Sequence, residues 1–334
     1  MSGPLLRAVD EQEMSRFEQL RAQLLDSAAV DALPPPERLL DTLLYRNTLA
    51  VLYGQPGGGK SFVALDWALC VVSGTAWLSR PVQRNRVLYI VAEGTSGLAQ
   101  RKRAWQSDHP GADLTNMRWL PEALNLLDDG WAVALAELVR EPPGYGLIVI
   151  DTTARSMVGG DENSAQDMGR FVAAVDRLRA GTRATVLLVH HSDKSGQTLR
   201  GSSALHGAAD TVIVLKSDGY TFTLDVEKQK DAAAAEIEPL RLLPVEDSCI
   251  VVQHSHATVG IGGVDSASDS QLLRVMRESF GTTGATAAQL RDAADLPKTS
   301  FYRARNSLVS RGAIRNVGSD IRPFYVLAGG GPDA

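Results

Sequence analysis

Residues 54–61 read Gly-Gln-Pro-Gly-Gly-Gly-Lys-Ser, which matches G-x-x-x-x-G-K-[ST]. Consecutive glycines let backbone N–H groups wrap an anion, and a helix starting there adds the positive end of its dipole. Lys60 can reach the β- and γ-phosphates of a nucleotide, and the Ser61 hydroxyl can ligate Mg2+. Gly54, Gln55, Pro56, Gly57, Gly58, Gly59, Lys60, Ser61 and Phe62 therefore form the candidate ATP-binding segment, with an ordinary glycine-rich turn as the plain alternative. Three later apolar runs each end in a polar group. Leu147-Ile148-Val149-Ile150 ends in Asp151, a second candidate Mg2+ ligand. Residues 87–92 end in Glu93, where a carboxylate at the tip of the strand next to the phosphate-loop strand can polarise an attacking water, or can simply be a surface glutamate. Residues 185–189 end in His190 and His191, where a polar side chain can contact the γ-phosphate and report hydrolysis to the following loop. Neighbours in a strand point to opposite faces, so the two histidines do not readily share a metal.

The surrounding pattern supplies elements to hold these groups. Strands are expected at 49–53, 86–92, 147–150 and 185–189, and helices at 62–73, 98–106, 131–139 and 168–180. Residues 211–215 and 221–226 suit a strand pair turned at Asp218-Gly219. Alternating strands and helices predict an α/β fold whose mostly parallel sheet is covered by helices on both faces. Residues 11–30 carry Phe17, Leu20, Leu24 and Leu25 on one helical stripe, for packing on this chain's own body or on a neighbouring subunit. Pro34-Pro35-Pro36 closes the stretch as a stiff linker.

The net charge of −5 over 334 residues hides an asymmetry. Residues 270–322 hold nine Lys and Arg against four Asp and Glu, or +5. Residues 1–269 hold 25 against 34, or −9, and Asp333 supplies the last −1. A basic module on an acidic body suggests a polyanionic partner for the module. The two cysteines, Cys70 and Cys249, cannot form a disulfide framework or a zinc site and fit a reducing compartment. With no secretory pattern and no apolar run of about 18 residues, a cytoplasmic protein with no membrane partner is expected.

The expected organisation is an N-terminal helix and linker (1–36), the α/β core (37–258), a Gly/Ser/Asp-rich linker (259–269), a small helical domain (270–328) and a disordered tail (329–334). In the small domain, helices are expected at 270–280, 287–294 and 298–311. Thr286 to Gln289 forms a capping box, Gly312 closes the third helix, and a hairpin spans 314–317 and 323–327. This resembles a winged helix-turn-helix, as does the ending Leu308-Val309-Ser310-Arg311-Gly312-Ala313-Ile314. The resemblance puts Lys298, Thr299, Ser300, Tyr302, Arg303 and Arg305 on a recognition helix, with Arg315 and Arg322 at the wing, facing DNA or a protein.

Residues 34–253 resemble the RecA-like ATPase core, in particular the plasmid RepA-type and DnaB-like hexameric helicases. The resemblance rests on Leu49-Ala-Val-Leu-Tyr-Gly-Gln-Pro-Gly-Gly-Gly-Lys-Ser-Phe-Val-Ala-Leu-Asp66, on Val91-Ala92-Glu93-Gly94, and on His190-His191 followed by Arg200-Gly201-Ser202-Ser203-Ala204-Leu205. It implies Lys60 in the phosphate cradle, Glu93 as catalytic base, Asp151 as the Walker B carboxylate, and His191, in preference to His190, as the γ-phosphate sensor. Lys228-Gln229-Lys230, after the last paired strand, resembles the Lys-x-Arg element that reaches a neighbour's ATP site. Its second cation is Lys230 where the element has Arg, and Arg200 is the other candidate for that role. The resemblance also implies DNA contact by the loops 155–167 and 192–203. The second carries Lys194 and Arg200, whereas the first is acidic. The activity expected is that of an ATP- and Mg2+-dependent, ring-forming, hexameric DNA helicase or translocase in phage or plasmid replication. It would act on single-stranded or forked DNA, with a separate initiator or primase partner. The alternatives are a non-motor DNA-binding ATPase (initiator, helicase loader or recombination mediator) and a nucleotide-gated DNA-binding regulator.

Overall fold

The computed structural model describes residues 16–193, 196, 198–217, 221–230, 232–254, 267–281, 283–310, 312–318 and 323–328. The chain divides into two units, Met1–His254 and Ser255–Ala334. The first begins with α1 (Arg16–Ala22), α2 (Ser27–Asp31), β1 (Arg38–Leu40), β2 (Leu44–Tyr45), β3 (Leu49–Gly54) and α3 (Lys60–Ser73). It continues with β4 (Val87–Val91), α4 (Leu98–Asp108), β5 (Met117–Leu120), α5 (Asp129–Arg140), β6 (Leu147–Asp151) and α6 (Ala165–Thr182). It ends with β7 (Thr185–His191), α7 (Ser203–Ala208), β8 (Thr211–Ser217), β9 (Thr221–Gln229), β10 (Leu240–Val245) and β11 (Ser248–Gln253). Nine of these strands form one sheet in the order β11-β10-β9-β8-β3-β7-β6-β4-β5. The six from β8 to β5 run parallel, and β9, β10 and β11 extend the sheet antiparallel.

The period-2 geometry of a strand splits each apolar run between two cores. Ala50 and Leu52 of β3, Tyr89 of β4, Val149 of β6 and Leu187 and Val189 of β7 pack with α3 on one face. Leu49, Val51 and Tyr53, with Ile90, Ile148, Ile150 and Leu188, pack with α5 and α6 on the other. β3, β4, β6 and β7 are therefore buried on both sides, and the polar groups that follow them emerge at their tips.

Several expectations change. The strand ending before Glu93 is not next to the phosphate-loop strand. β7 and β6 stand between β3 and β4, because the crossover after β6 returns the chain to the gap beside β3. The stretch 11–30 is not one helix. Within its described part, Asp26 accepts from the Ala29 N–H at 2.8 Å and starts a new helix, separating α1 from α2. Its apolar residues do not pack on the body: Phe17 is 70% exposed and Leu24 78%. Lys228 and Gln229 do not follow the paired strand but lie within β9, opposite Val212 and Thr211, and the β10–β11 hairpin comes after them. Asp218-Gly219, the expected turn, lies outside the described residues.

The second unit contains α8 (Ala267–Phe280), β12 (Ala285–Thr286), α9 (Ala287–Ala294), α10 (Lys298–Ser310), β13 (Ile314–Asn316) and β14 (Phe324–Leu327). Its three-stranded antiparallel sheet has the order β12-β14-β13. Leu272, Met276, Leu290, Phe301, Leu308 and Ile314 form its core. Thr286 and Gln289 make the full capping box at the start of α9.

Candidate nucleotide site

The loop joining β3 to α3 is shaped by its glycines. Gly59 caps α3 with φ +101°, a conformation that L side chains rarely adopt. At Gly54 a Cβ would stand 2.4 Å from the carbonyl oxygen of Leu215 on β8, so only glycine permits that approach of strands. The Lys60 ammonium is buried inside this loop and donates to the carbonyls of Gly54 (2.9 Å) and Gln55 (2.8 Å). Burial lowers its pKa to about 8, against the opposing pull of Asp151 and Glu93.

Ser61, one residue into α3, donates to Asp151 Oδ1 at 3.2 Å. Asp151 ends β6 in a buried position and receives the Tyr89 hydroxyl on Oδ2 at 2.8 Å. Burial holds the Asp151 carboxyl above its usual range, and the Tyr89 and Ser61 donors oppose that shift. A hydroxyl and a carboxylate brought together beside a phosphate loop are a hard-oxygen donor pair of the kind Mg2+ prefers. Tyr89, which aims Asp151, was missed in the sequence; its only signal there is its place two residues before the end of an apolar strand.

Glu93 lies beyond the end of β4 and lines a cleft of about 890 Å³ with Gln55, Pro56, Asn163, His191, Ser192, Asp193, Arg200 and Gly201. Despite the intervening strands, the glutamate, the phosphate loop and the histidine tip of β7 thus share one opening. The two histidines part as the pleat requires. His191 faces the cleft, while His190 is fully buried with Nε2 2.9 Å from the Arg200 carbonyl oxygen. Burial pushes His190 down to about 4, and burial with the nearby Lys60 charge also lowers His191. His191 is therefore the histidine placed to meet a nucleotide. Among the described residues, Nδ1 of His191 and Oγ of Ser192 are buried without a hydrogen-bond partner.

Arg200 lies in this chain's own cleft, and its Nε stands 3.1 Å from Glu162 Oε2. The loops after β6 and β7 are further joined by the Ser202 N–H donating to the Glu162 carbonyl at 2.8 Å. Lys228 and Lys230 lie at the opposite end of the sheet from the phosphate loop. Lys228 donates to the carbonyls of His206 (2.9 Å) and Gly207 (3.0 Å) at the end of α7, and Lys230 pairs with Asp210 at 3.5 Å. In the second unit, Arg305 lies over the rings of Tyr302 (4.9 Å) and Tyr325 (5.8 Å). Ser300 is half-buried and Arg315 exposed. Lys194 and Arg322 lie outside the described residues, as do the side chains of Lys298, Thr299 and Arg303.

A KaiC-like protein from the hyperthermophilic archaeon Pyrococcus horikoshii OT3 superposes on 64% of this chain and 93% of its own, at 13% identity and a TM-score of 0.45. The family model described as an AAA domain matches residues 13–197, from ahead of α1 through the phosphate loop, Glu93 and Asp151 to the loop after His191. With a nucleotide-binding loop, a hydroxyl–carboxylate pair and a mostly parallel sheet in that span, this chain belongs to the AAA domain family, with a RecA-like P-loop ATPase core.

Proposed function

We propose that this chain hydrolyses ATP in the cleft beside Lys60 and uses the cycle to act on DNA, as a ring-forming helicase or translocase of phage or plasmid replication. The convergence of the phosphate loop, Glu93 and His191 on one opening carries this reading. Lys60 leaves the Gly54 and Gln55 carbonyls for the β- and γ-phosphates, and the loop N–H groups hold the phosphate oxygens. Mg2+, held by Ser61 and Asp151, supplies charge neutralisation on the phosphates when bound. Glu93 takes the proton of the attacking water, and His191 contacts the γ-phosphate end and passes its loss to the 192–203 loop. Positioning and charge stabilisation account for most of the acceleration in such a site.

Lys228 and Lys230, remote from their own chain's phosphate loop, reach a neighbour in a ring by leaving the His206 and Gly207 carbonyls and the Asp210 carboxylate. The exposed Phe17 and Leu20 of α1, and Leu24 after it, suit a subunit contact. The helix–strand–helix–helix–strand–strand order of the second unit, with the +5 charge of residues 270–322, supports a winged helix that binds duplex or forked DNA. A second reading, a DNA-binding ATPase that assembles without unwinding, is favoured by the Arg200–Glu162 pair, which ties the cation of the DNA-side loop to its neighbour. Strand displacement on forked DNA, with Glu93→Gln as control, separates the two. ATP-dependent displacement supports the motor, and its absence at every fork geometry sinks it.

A further inference from the structure

The 153–156 turn that follows Asp151 has no place in the phosphate chemistry described above, yet two of the residues after that aspartate grip Glu93. The Thr152 hydroxyl donates to Glu93 Oε1 at 3.2 Å, and Arg155 Nε donates to the same oxygen at 3.1 Å. Both contacts fall on Oε1, so Oε2 keeps its lone pairs for another donor. The glutamate needs such restraint. It lies beyond the end of β4, its side chain is 40% exposed, and nothing in the strand itself fixes its torsions. Thr152 is buried and cannot follow a wandering carboxylate, whereas Arg155 is 63% exposed and closes over it from outside.

We infer that Arg155 and Thr152 are positioning residues for Glu93, holding Oε1 so that Oε2 faces the cleft and receives the proton of the attacking water. This rests on the proposed role of Glu93 as the base. It also gives a physical link between the tip of β6, which carries the metal-ligand candidate, and the tip of β4, which carries the base, across two adjacent parallel strands. Catalytic groups lose efficiency steeply when displaced: about 1 Å of misplacement costs on the order of a hundredfold. The guanidinium gives a directed N–H as well as charge, which lysine reproduces only in part.

Full-length Arg155→Ala, Arg155→Lys and Thr152→Val should be compared with wild type by steady-state phosphate release. Arg155→Ala should lower kcat about 10- to 100-fold with KM and ATP affinity unchanged, since neither residue touches the phosphate loop. Arg155→Lys should recover part of that loss, and Thr152→Val should fall between Arg155→Ala and wild type. An Arg155→Ala kcat at or above wild type overturns the inference, as does a loss confined to KM. Glu93→Gln separates the two levels. If it is inactive while Arg155→Ala turns over normally, only the positioning role fails. If Glu93→Gln hydrolyses like wild type, or wild type does not hydrolyse ATP, the base assignment fails and the positioning role with it. Thermal melts of Arg155→Ala should match wild type, because the side chain is mostly exposed.

Discussion

Asp66 offers a quantitative handle on the helix that begins with Lys60. It is buried on α3, and its two oxygens accept the indole N–H groups of Trp77 and Trp105, each at 2.7 Å. The Trp105 ring stacks on His109 with centroids 3.9 Å apart, and Cys70 Sγ lies 3.9 Å from Asp66 Oδ1. Burial raises the Asp66 carboxyl from 3.8 to about 6. The two indole donors and the His109 charge oppose the shift, and the Asp108 charge adds to it. A raised carboxyl binds its proton more tightly in the folded than in the unfolded chain. Its contribution to stability is therefore full below about pH 4 and is lost as pH rises through about 6. The shift of roughly two pH units corresponds to about 3 kcal/mol. Asp66→Asn removes that titration while keeping the shape. Urea unfolding followed by tryptophan emission at several pH values from 4 to 7.5 should show the variant gaining about 3 kcal/mol relative to wild type across that range. Parallel pH dependences for the two proteins would refute the argument, because they would mean that Asp66 titrates alike in the folded and unfolded chains.

Two further outcomes follow from local geometry. Gly54→Ala puts a Cβ 2.4 Å from the Leu215 carbonyl, a backbone atom held in the sheet; a cost of about 2–4 kcal/mol is expected, read as a lowered urea midpoint for the first unit, with ATP binding weakened as the loop shifts. Thr286→Ala removes the side chain that accepts the Gln289 N–H at 3.3 Å; it should cost the second unit about 1 kcal/mol in chemical unfolding and leave ATP hydrolysis unchanged.

The parts of the site that lie within one element were legible in the sequence. The phosphate loop, the apolar strand ending in Asp151 and the capping box of α9 are local patterns, and local hydrogen bonding builds them. Strand order was not legible, because it depends on which gap a crossover fills. Glu93 therefore reaches the cleft from a strand two places beyond the neighbour of β3. Strand parity put the histidines on opposite faces, but which face meets the nucleotide depended on the side that α3 covers. The β10–β11 hairpin was missed because Pro244 interrupts its first strand and its pattern alternates weakly. The grip of Arg155 on Glu93 joins positions 62 residues apart, and no periodicity marks such a pair.

In the proposed mechanism one site binds ATP through Lys60 and hydrolyses it through Glu93. Its most direct test is to measure ATP affinity and Mg2+-dependent phosphate release together in wild type, Lys60→Ala and Glu93→Gln. The predicted result is wild-type affinity with hydrolysis reduced at least a hundredfold in Glu93→Gln, and loss of both in Lys60→Ala. Hydrolysis at the wild-type rate by either variant would contradict it.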